Sequence, residues 1–423
     1  MTLFRNLKDH PLVHTFLTVK GNPRLCLYTE PLWIVPFNLY MPFVSVYMAA
    51  LLLSDQQIGI IASVFMLSRA IVAIFSGALV DKFGRKLTTF VFDVLSWSIP
   101  TLLWALSQNF WWFVVAAAFN GIMQGSDVSW MCLLIEDAEK AILAKVFALL
   151  HMIAQIGVIF APLAALLVSQ LSLIPAMRIL YAFTFVSMTV KFIILYKYCD
   201  ETEVGKTRME ETKGMSIWQI MGGYLQIFKN IFTSPDMILS LALTAIFSIT
   251  GMVYTSFFGL YVTGTLYIPD YLLAYFPIIR SLTIALSLFF LSPRLERFGF
   301  KNPVLIGLSF FIAGLVLLIS SPTEVLYVLI VSIILDAIGF SFVMPRIDSL
   351  IQILIEPSER ARIRGLMMVI VLVLTIPFGY IAGRLSEQDR RYPFILIICL
   401  LVITFITISI SKKRLEALHK QQV

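Results

Sequence analysis

Apolar runs of about 20 residues recur about twelve times along the chain, each bounded by a short polar stretch. Wound as an α-helix rising about 1.5 Å per residue, a run of that length covers the roughly 30 Å of bilayer hydrocarbon. The pattern predicts helices over 27–52, 56–79, 88–106, 111–134, 142–168 and 174–197, then over 236–263, 270–291, 303–320, 324–347, 361–384 and 392–411. Only one long polar stretch, 198–234, interrupts the series. The expected organisation is a cytoplasmic segment 1–26, a six-helix bundle 27–197, a cytoplasmic linker 198–234, a second six-helix bundle 235–411 and a tail 412–423. The fold class is thus an all-α membrane protein of 12 transmembrane helices. The first predicted helix carries Pro36 and Pro42 with Asn38 between them, so it is expected to kink and partly unwind on a protein-facing side. In the linker, Ile217 to Phe228 reads either as an amphipathic helix on the membrane surface or as plain connection.

Composition agrees with that pattern. At 59% hydrophobic and 13% charged residues, with a mean hydropathy of +0.90, the chain is too apolar for a soluble protein of this length. Its net charge of +7 is a matter of topology and not of nucleic-acid binding, because the bases cluster in alternate loops. Arg5, Lys8, Lys20 and Arg24 precede the first helix, Lys82, Arg85 and Lys86 follow the second, and Lys412, Lys413, Arg414 and Lys420 close the chain. The intervening loops hold only Arg178, Arg384, Arg390 and Arg391, which predicts that both termini are cytoplasmic. No cleavable leader is expected, since the first apolar run is too long and no small-residue cleavage site follows it. Cys26, Cys132, Cys199 and Cys399 show no paired spacing and read as packing residues, with no cofactor or metal expected.

Glycine, an acid and several bases come together in one short run, Gly77-Ala78-Leu79-Val80-Asp81-Lys82-Phe83-Gly84-Arg85-Lys86. Gly77 lets a neighbouring helix approach, Gly84 permits a tight reversal at positive φ, and Asp81 ends a helix and needs a partner. A shift of 215 residues carries Gly77, Asp81, Phe83, Gly84 and Lys86 onto Ser292, Glu296, Phe298, Gly299 and Lys301. The same shift carries Pro162 onto Pro377. Two landmarks with one offset, close to half the chain, indicate a duplicated six-helix unit and hence two pseudo-symmetric bundles. The run Gly77 to Lys86 resembles the loop 2–3 signature of the major facilitator superfamily, Gly-x-Leu-x-Asp-Arg-x-Gly-Arg-Lys/Arg, and the likeness extends over essentially the whole chain. That resemblance implies that helices 1, 4, 7 and 10 line a central cavity, with 2, 5, 8 and 11 beside them. It also implies that a latch of charged helix ends holds one state of the cycle. Glu136 and Asp137 are placed to pair with Arg85 or Lys86, and Glu296 and Gly299 are the second-half counterparts of Asp81 and Gly84.

Ionisable groups at bilayer depth are costly, so each is a candidate for function or a fixed interhelix tie. Arg69, Arg280 and Asp336 fall near mid-membrane, while Glu30 and Asp127 lie nearer the cytoplasm. Helical spacing puts Asn120, Gln124 and Asp127 on one face, Ser332, Asp336, Gly339 and Arg346 on another, and Arg280, Thr283 and Ser287 on a third. The substrate and proton pathway is accordingly assigned to Arg69, Arg280, Asp336, Glu30, Asp127, Asn38 and Gln124, with Arg280 pairing Asp336 as the alternative. Asp93 and Lys191 are expected to be structural, and His151 to be a packed hydrogen-bonding residue.

The family pattern breaks in two places. Gln124-Gly125 resembles the Arg-x-x-Gln-Gly element of helix 4, but Gly121 stands where that arginine belongs. Gly157-x-x-x-Ala161-Pro162-x-x-Ala165 resembles the antiporter element of helix 5 with alanine in place of glycine. No nucleotide loop, metal cluster or nucleophile and base pair is present in the sequence, which argues against an enzyme. The expected function is secondary active transport of a small molecule by alternating access, proton-coupled, monomeric in the bilayer and directed outward. A proton symporter for a polar metabolite such as a sugar, and a non-transporting membrane sensor or scaffold, are the alternatives.

Overall fold

The computed structural model describes residues 11–139, 142–220, 235–291, 301–354 and 360–410. Eleven of its helices are long and apolar enough to cross a membrane. In chain order these are α1 (Gly21–Ala50), α2 (Asp55–Phe83), α3 (Arg85–Leu106), α5 (Leu143–Leu171), α6 (Leu173–Tyr198), α7 (Met237–Gly264), α8 (Asp270–Leu291), α9 (Lys301–Ile319), α10 (Leu326–Ile347), α11 (Ile363–Gln388) and α12 (Tyr392–Ile410). The remaining expected helix, α4, is present in two pieces, Phe110–Asn120 and Met123–Ile135. Gly121, at the interruption, lets α2 approach closely: a Cβ there would collide with the Ser68 side chain and the Arg69 backbone nitrogen of α2. The chain is a multi-pass, all-helical membrane protein.

Local chemistry sets the ends of these helices. Asn109 caps α4 by accepting a hydrogen bond from the Trp111 N–H at 3.1 Å. Gly84, at φ +83°, makes the reversal between α2 and α3 that the sequence expects of it. Helix α1 continues through Pro36 and tightens to a 3₁₀ turn at Met41–Phe43, where Pro42 lacks the N–H an α-helix needs. The expected unwinding is thus confined to that turn. A π-helical turn at Val94–Ser98 interrupts α3, and another at Ser287–Leu291 ends α8. Within the linker, Thr202 caps a helix over Glu203–Glu211, a short helix follows at Ile217–Ile220, and the rest of the expected amphipathic stretch lies outside the described residues.

The chain divides into two compact units. The first comprises 1–41 and 67–222, the second 42–66 and 223–423. In the first unit, α6 lies along α1, α3 and α5, and aromatic side chains fill the space between α1, α3 and α6. Trp33 stacks on Phe37 at 4.9 Å, Trp97 meets Trp33 edge-on at 5.0 Å, and Tyr40 lies 5.0 Å from Tyr181. Cys26 and Cys199 sit together in a second apolar cluster of this unit with Leu27, Leu133, Leu134 and Val146. The two cysteines meet across a spacing of 173 residues, a proximity the sequence does not reveal.

In the second unit, α9 and α10 pack most closely, through paired glycines: a Cβ on Gly339 would strike the Gly307 carbonyl and the Phe311 backbone. The same unit gathers the end of α1 and the start of α2 against α7 and α11. Gly59 faces Gly379 and Gly383 so closely that neither side has room for a Cβ. Ser63 ties that contact by donating to the Ile376 carbonyl at 2.7 Å and accepting from the Tyr380 N–H at 2.9 Å.

Candidate functional site

Arg280 lies ten residues from one end of α8 and eleven from the other, and Asp336 occupies the same position in α10. The structure brings them together. Arg280 Nε donates to Asp336 Oδ2 at 2.7 Å, and the guanidinium lies 4.7 Å over the Phe340 ring. The two partners differ in access: the Arg280 side chain is 31% exposed, the Asp336 side chain 3%. Asp336 Oδ1 is buried and has no hydrogen-bond partner. Tyr254 of α7 lies within electrostatic reach of both and stacks on Phe258 at 4.9 Å. Helix α9 approaches the backbone of α10 at this point, since a Cβ on Gly314 would meet the backbone of Ser332 and Asp336. The polar face expected on α10 therefore divides, with Asp336 toward α8 and Gly339 toward α9.

The first unit repeats the theme on equivalent helices. Arg69 sits midway along α2, and its Nη2 donates to Gln124 Oε1 of α4 at 2.8 Å. Asp127, one turn further along α4, is within electrostatic reach of that guanidinium. Asn120 turns away from this group and donates to the Ser96 carbonyl of α3 at 2.7 Å. Asn38 is directed back onto its own helix, donating to the Ile34 carbonyl at 2.7 Å, beside Gly157.

Glu30 does not join Arg69. Its Oε2 accepts from Lys191 Nζ of α6 at 2.7 Å, with both side chains buried. The Lys191 ammonium also lies 5.2 Å from the centre of Trp130 and 5.9 Å from that of Trp33. Asp93, which precedes the π-helical turn of α3, is buried and within electrostatic reach of Lys191, Asp127 and Glu30. His151, expected to pack, is exposed.

At the end of α2 the glycine-rich run builds a charged node. Arg85, 5% exposed, donates to Glu136 through Nε at 3.1 Å and Nη2 at 3.1 Å, and to Asp81 through Nη1 at 3.1 Å. The expected partner Glu136 is therefore found, whereas among the described residues Asp137 accepts from the Glu203 N–H at 3.4 Å. Lys86 places its ammonium 5.4 Å from the Tyr196 ring centre, and Gly77 is half-buried in α2. Glu296 and Gly299, the expected counterparts, lie outside the described residues.

Sequence reasoning missed two linker residues here. Glu201 accepts from the backbone N–H groups of Arg85 at 2.8 Å and Lys86 at 3.0 Å, capping α3 with a carboxylate. Thr202 adds a 2.5 Å hydrogen bond to Glu136. The available signal was the Thr-Glu pair opening a polar helix. Also missed was Asp55, which in the second unit holds Arg390 through Nε at 2.9 Å and Nη2 at 3.0 Å while accepting from Ser386 at 2.6 Å.

The family model of the Major Facilitator Superfamily matches residues 34–373. The chain belongs to the major facilitator superfamily. Among curated relatives, it is 28% identical over 126 residues to the quinolone resistance protein NorA of Staphylococcus aureus, covering 30% of this chain and 32% of that protein. It is 35% identical over 94 residues to the multidrug resistance protein MdtG of Serratia proteamaculans, covering 21% and 23%. The alignments thus span about a third or less of the relatives' length. The nucleoside transporter NupG shares the fold at a TM-score of 0.69 and 16% identity, over 93% of this chain and 100% of that one. The human organic anion transporter MFSD10 does so at 0.61 and 15%, over 91% and 98%.

Within the family frame, the missing arginine of the helix 4 element has a visible reason. No side chain fits at Gly121 against α2, and the guanidinium beside Gln124 comes instead from Arg69.

Proposed function

We propose that the chain is a proton-coupled secondary carrier of a small molecule, working as a monomer by alternating access between bundles 27–197 and 235–411, with both termini cytoplasmic. The observation that carries this reading is the Arg280–Asp336 pair midway along α8 and α10. A carboxylate that gains or loses a proton as its cationic partner moves supplies the coupling a carrier without nucleotide hydrolysis requires. Asp336 carries the proton, Arg280 exchanges between it and the solute, and Arg69 with Gln124 and Asp127 shapes the corresponding site in the first half. Glu30 and Asn38 complete the pathway, and the node of Gly77, Asp81, Gly84, Arg85, Lys86, Glu136 and Asp137, with Glu296 and Gly299, gates it.

Outward transport of drugs or metabolites is supported by the helix 5 element and by the likeness to resistance proteins. Proton symport of a polar metabolite is supported by one observation of its own, the partly exposed guanidinium of Arg280. The test is transport in vesicles under an imposed pH gradient. Asp336→Asn should abolish uphill transport and leave solute exchange measurable. If Asp336→Asn still moves solute against its gradient, coupling belongs to Glu30 or Asp127.

A further inference from the structure

From the arrangement around Arg280 we infer that this carrier binds an organic anion, a carboxylate joined to a planar aromatic body, on the free edge of the Arg280 guanidinium. The inference rests on the symport reading above and names its solute class. Arginine offers five N–H donors in a rigid fork, and Asp336 takes only the one on Nε. Among the described residues the structure gives the two η nitrogens no acceptor, and the Arg280 side chain is 31% exposed against 3% for Asp336. Phe340 holds the plane of the guanidinium from one face and Asp336 fixes its direction, so the outward N–H groups are organised before a ligand arrives. A planar carboxylate meets such an edge with two parallel hydrogen bonds, an arrangement no alcohol or amine reproduces. The stacked rings of Tyr254 and Phe258 supply an apolar wall for an aromatic body.

Charge balance then links the anion to a proton. The titratable groups facing Asp336 are Arg280 from α8 and Tyr254 from α7, while α9 meets it through Gly314. An anion on Arg280 leaves two negative charges around one guanidinium, one of them on the buried Asp336. A proton on the unpartnered Asp336 Oδ1 restores neutrality, so anion and proton occupy the site together.

The test is the thermal shift of the purified full-length protein with benzoate, naphthoate, benzyl alcohol and benzylammonium. Benzoate and naphthoate should raise the melting temperature, more at mildly acidic than at neutral pH, and the alcohol and the amine should not. Arg280→Gln and Arg280→Lys should each weaken carboxylate binding by about tenfold or more, the lysine variant controlling for folding because it keeps the charge and loses the fork. Asp336→Asn should keep carboxylate binding and lose its pH dependence. Stabilisation by benzylammonium or benzyl alcohol alone, or benzoate binding unchanged in both Arg280 variants, overturns the proposal. Proton-driven transport of other solutes with no carboxylate binding likewise overturns the anion class and leaves the carrier reading standing. Arg280-dependent benzoate binding in a protein inactive in vesicles supports the site and overturns the carrier reading alone.

Discussion

Replacing Arg85 with glutamine separates a buried charge node from an exposed one. Among the described residues Arg85 is the one guanidinium paired with Glu136 and Asp81, and its side chain is 5% exposed, against 14% for Glu136 and 30% for Asp81. Removing it strands Glu136 next to the Asp81 and Glu201 carboxylates. Breaking a buried pair by deleting one partner costs about 3–5 kcal/mol, whereas a solvent-screened contact such as Asp81 with Arg85 contributes about 1 kcal/mol or less. For compact units of about 200 residues, each kcal/mol corresponds to roughly 2–4 °C in melting temperature. Arg85→Gln should therefore melt about 6–20 °C below the native protein, and Asp81→Asn within about 4 °C of it. In parallel vesicle assays Asp81→Asn should fold normally yet transport slowly, because Asp81 acts on a conformational state and not on the core. Equal melting losses for the two variants would refute the burial argument, and near-native transport by Asp81→Asn would refute the gating assignment.

Gly84→Ala should destabilise by more than about 1 kcal/mol, since alanine is strained at φ +83° and its Cβ would enter the space of Glu201 and Met209; melting temperature is the readout. Glu30→Gln, which strands the Lys191 ammonium, should cost about 3–5 kcal/mol, and the double variant Glu30→Gln with Lys191→Met should recover most of that loss. Equal melting of single and double variants would show that the pair is not coupled. Single cysteines at Lys206 and Gln108, in a background without other cysteines, should be labelled from opposite sides of the membrane, Lys206 from the cytoplasm. Labelling of Lys206 in intact cells by an impermeant reagent would reverse the orientation.

Element positions were legible because one strong physical quantity, apolar length against bilayer thickness, decides them. Ends set by hydrogen bonding rather than by lipid were less so. Helix α1 starts at Gly21 although its apolar run starts near residue 27, and α3 starts at Arg85 although its run starts at 88. Helix α4 is interrupted at Gly121, where the Ser68 and Arg69 surface of α2 leaves no room for a Cβ. Partners were harder still. A period of 3.6 shows which residues share a face but not which face another helix presents. Lys191 sits on a helix expected to be structural, and no sequence pattern singles out Asp55. Each proves to hold a charge from the far side of its unit, Glu30 at 2.7 Å and Arg390 at 2.9 Å.

Duplication supplied the one sequence signal capable of finding such partners. Arg69 and Arg280 are separated by 211 residues, and Asp127 and Asp336 by 209, both close to the 215-residue offset of the glycine-rich runs. Each half therefore places an arginine on its second helix and an aspartate on its fourth, and contact between one pair implies proximity of the other. What duplication did not keep is the balance of charge. The second-half pair is one acid against one base, so Arg280 retains donors to spare. In the first half Arg69 meets Gln124, and the carboxylates Glu30, Asp93 and Asp127 share the interior with only Lys191 and Arg69. Three acids against two bases cannot all be neutralised by pairing in a medium where a lone charge is costly. Arg69 and Arg280, alike in depth and helix number, are therefore not interchangeable. Removing Arg69 adds to an existing excess of negative charge, whereas removing Arg280 creates one around Asp336.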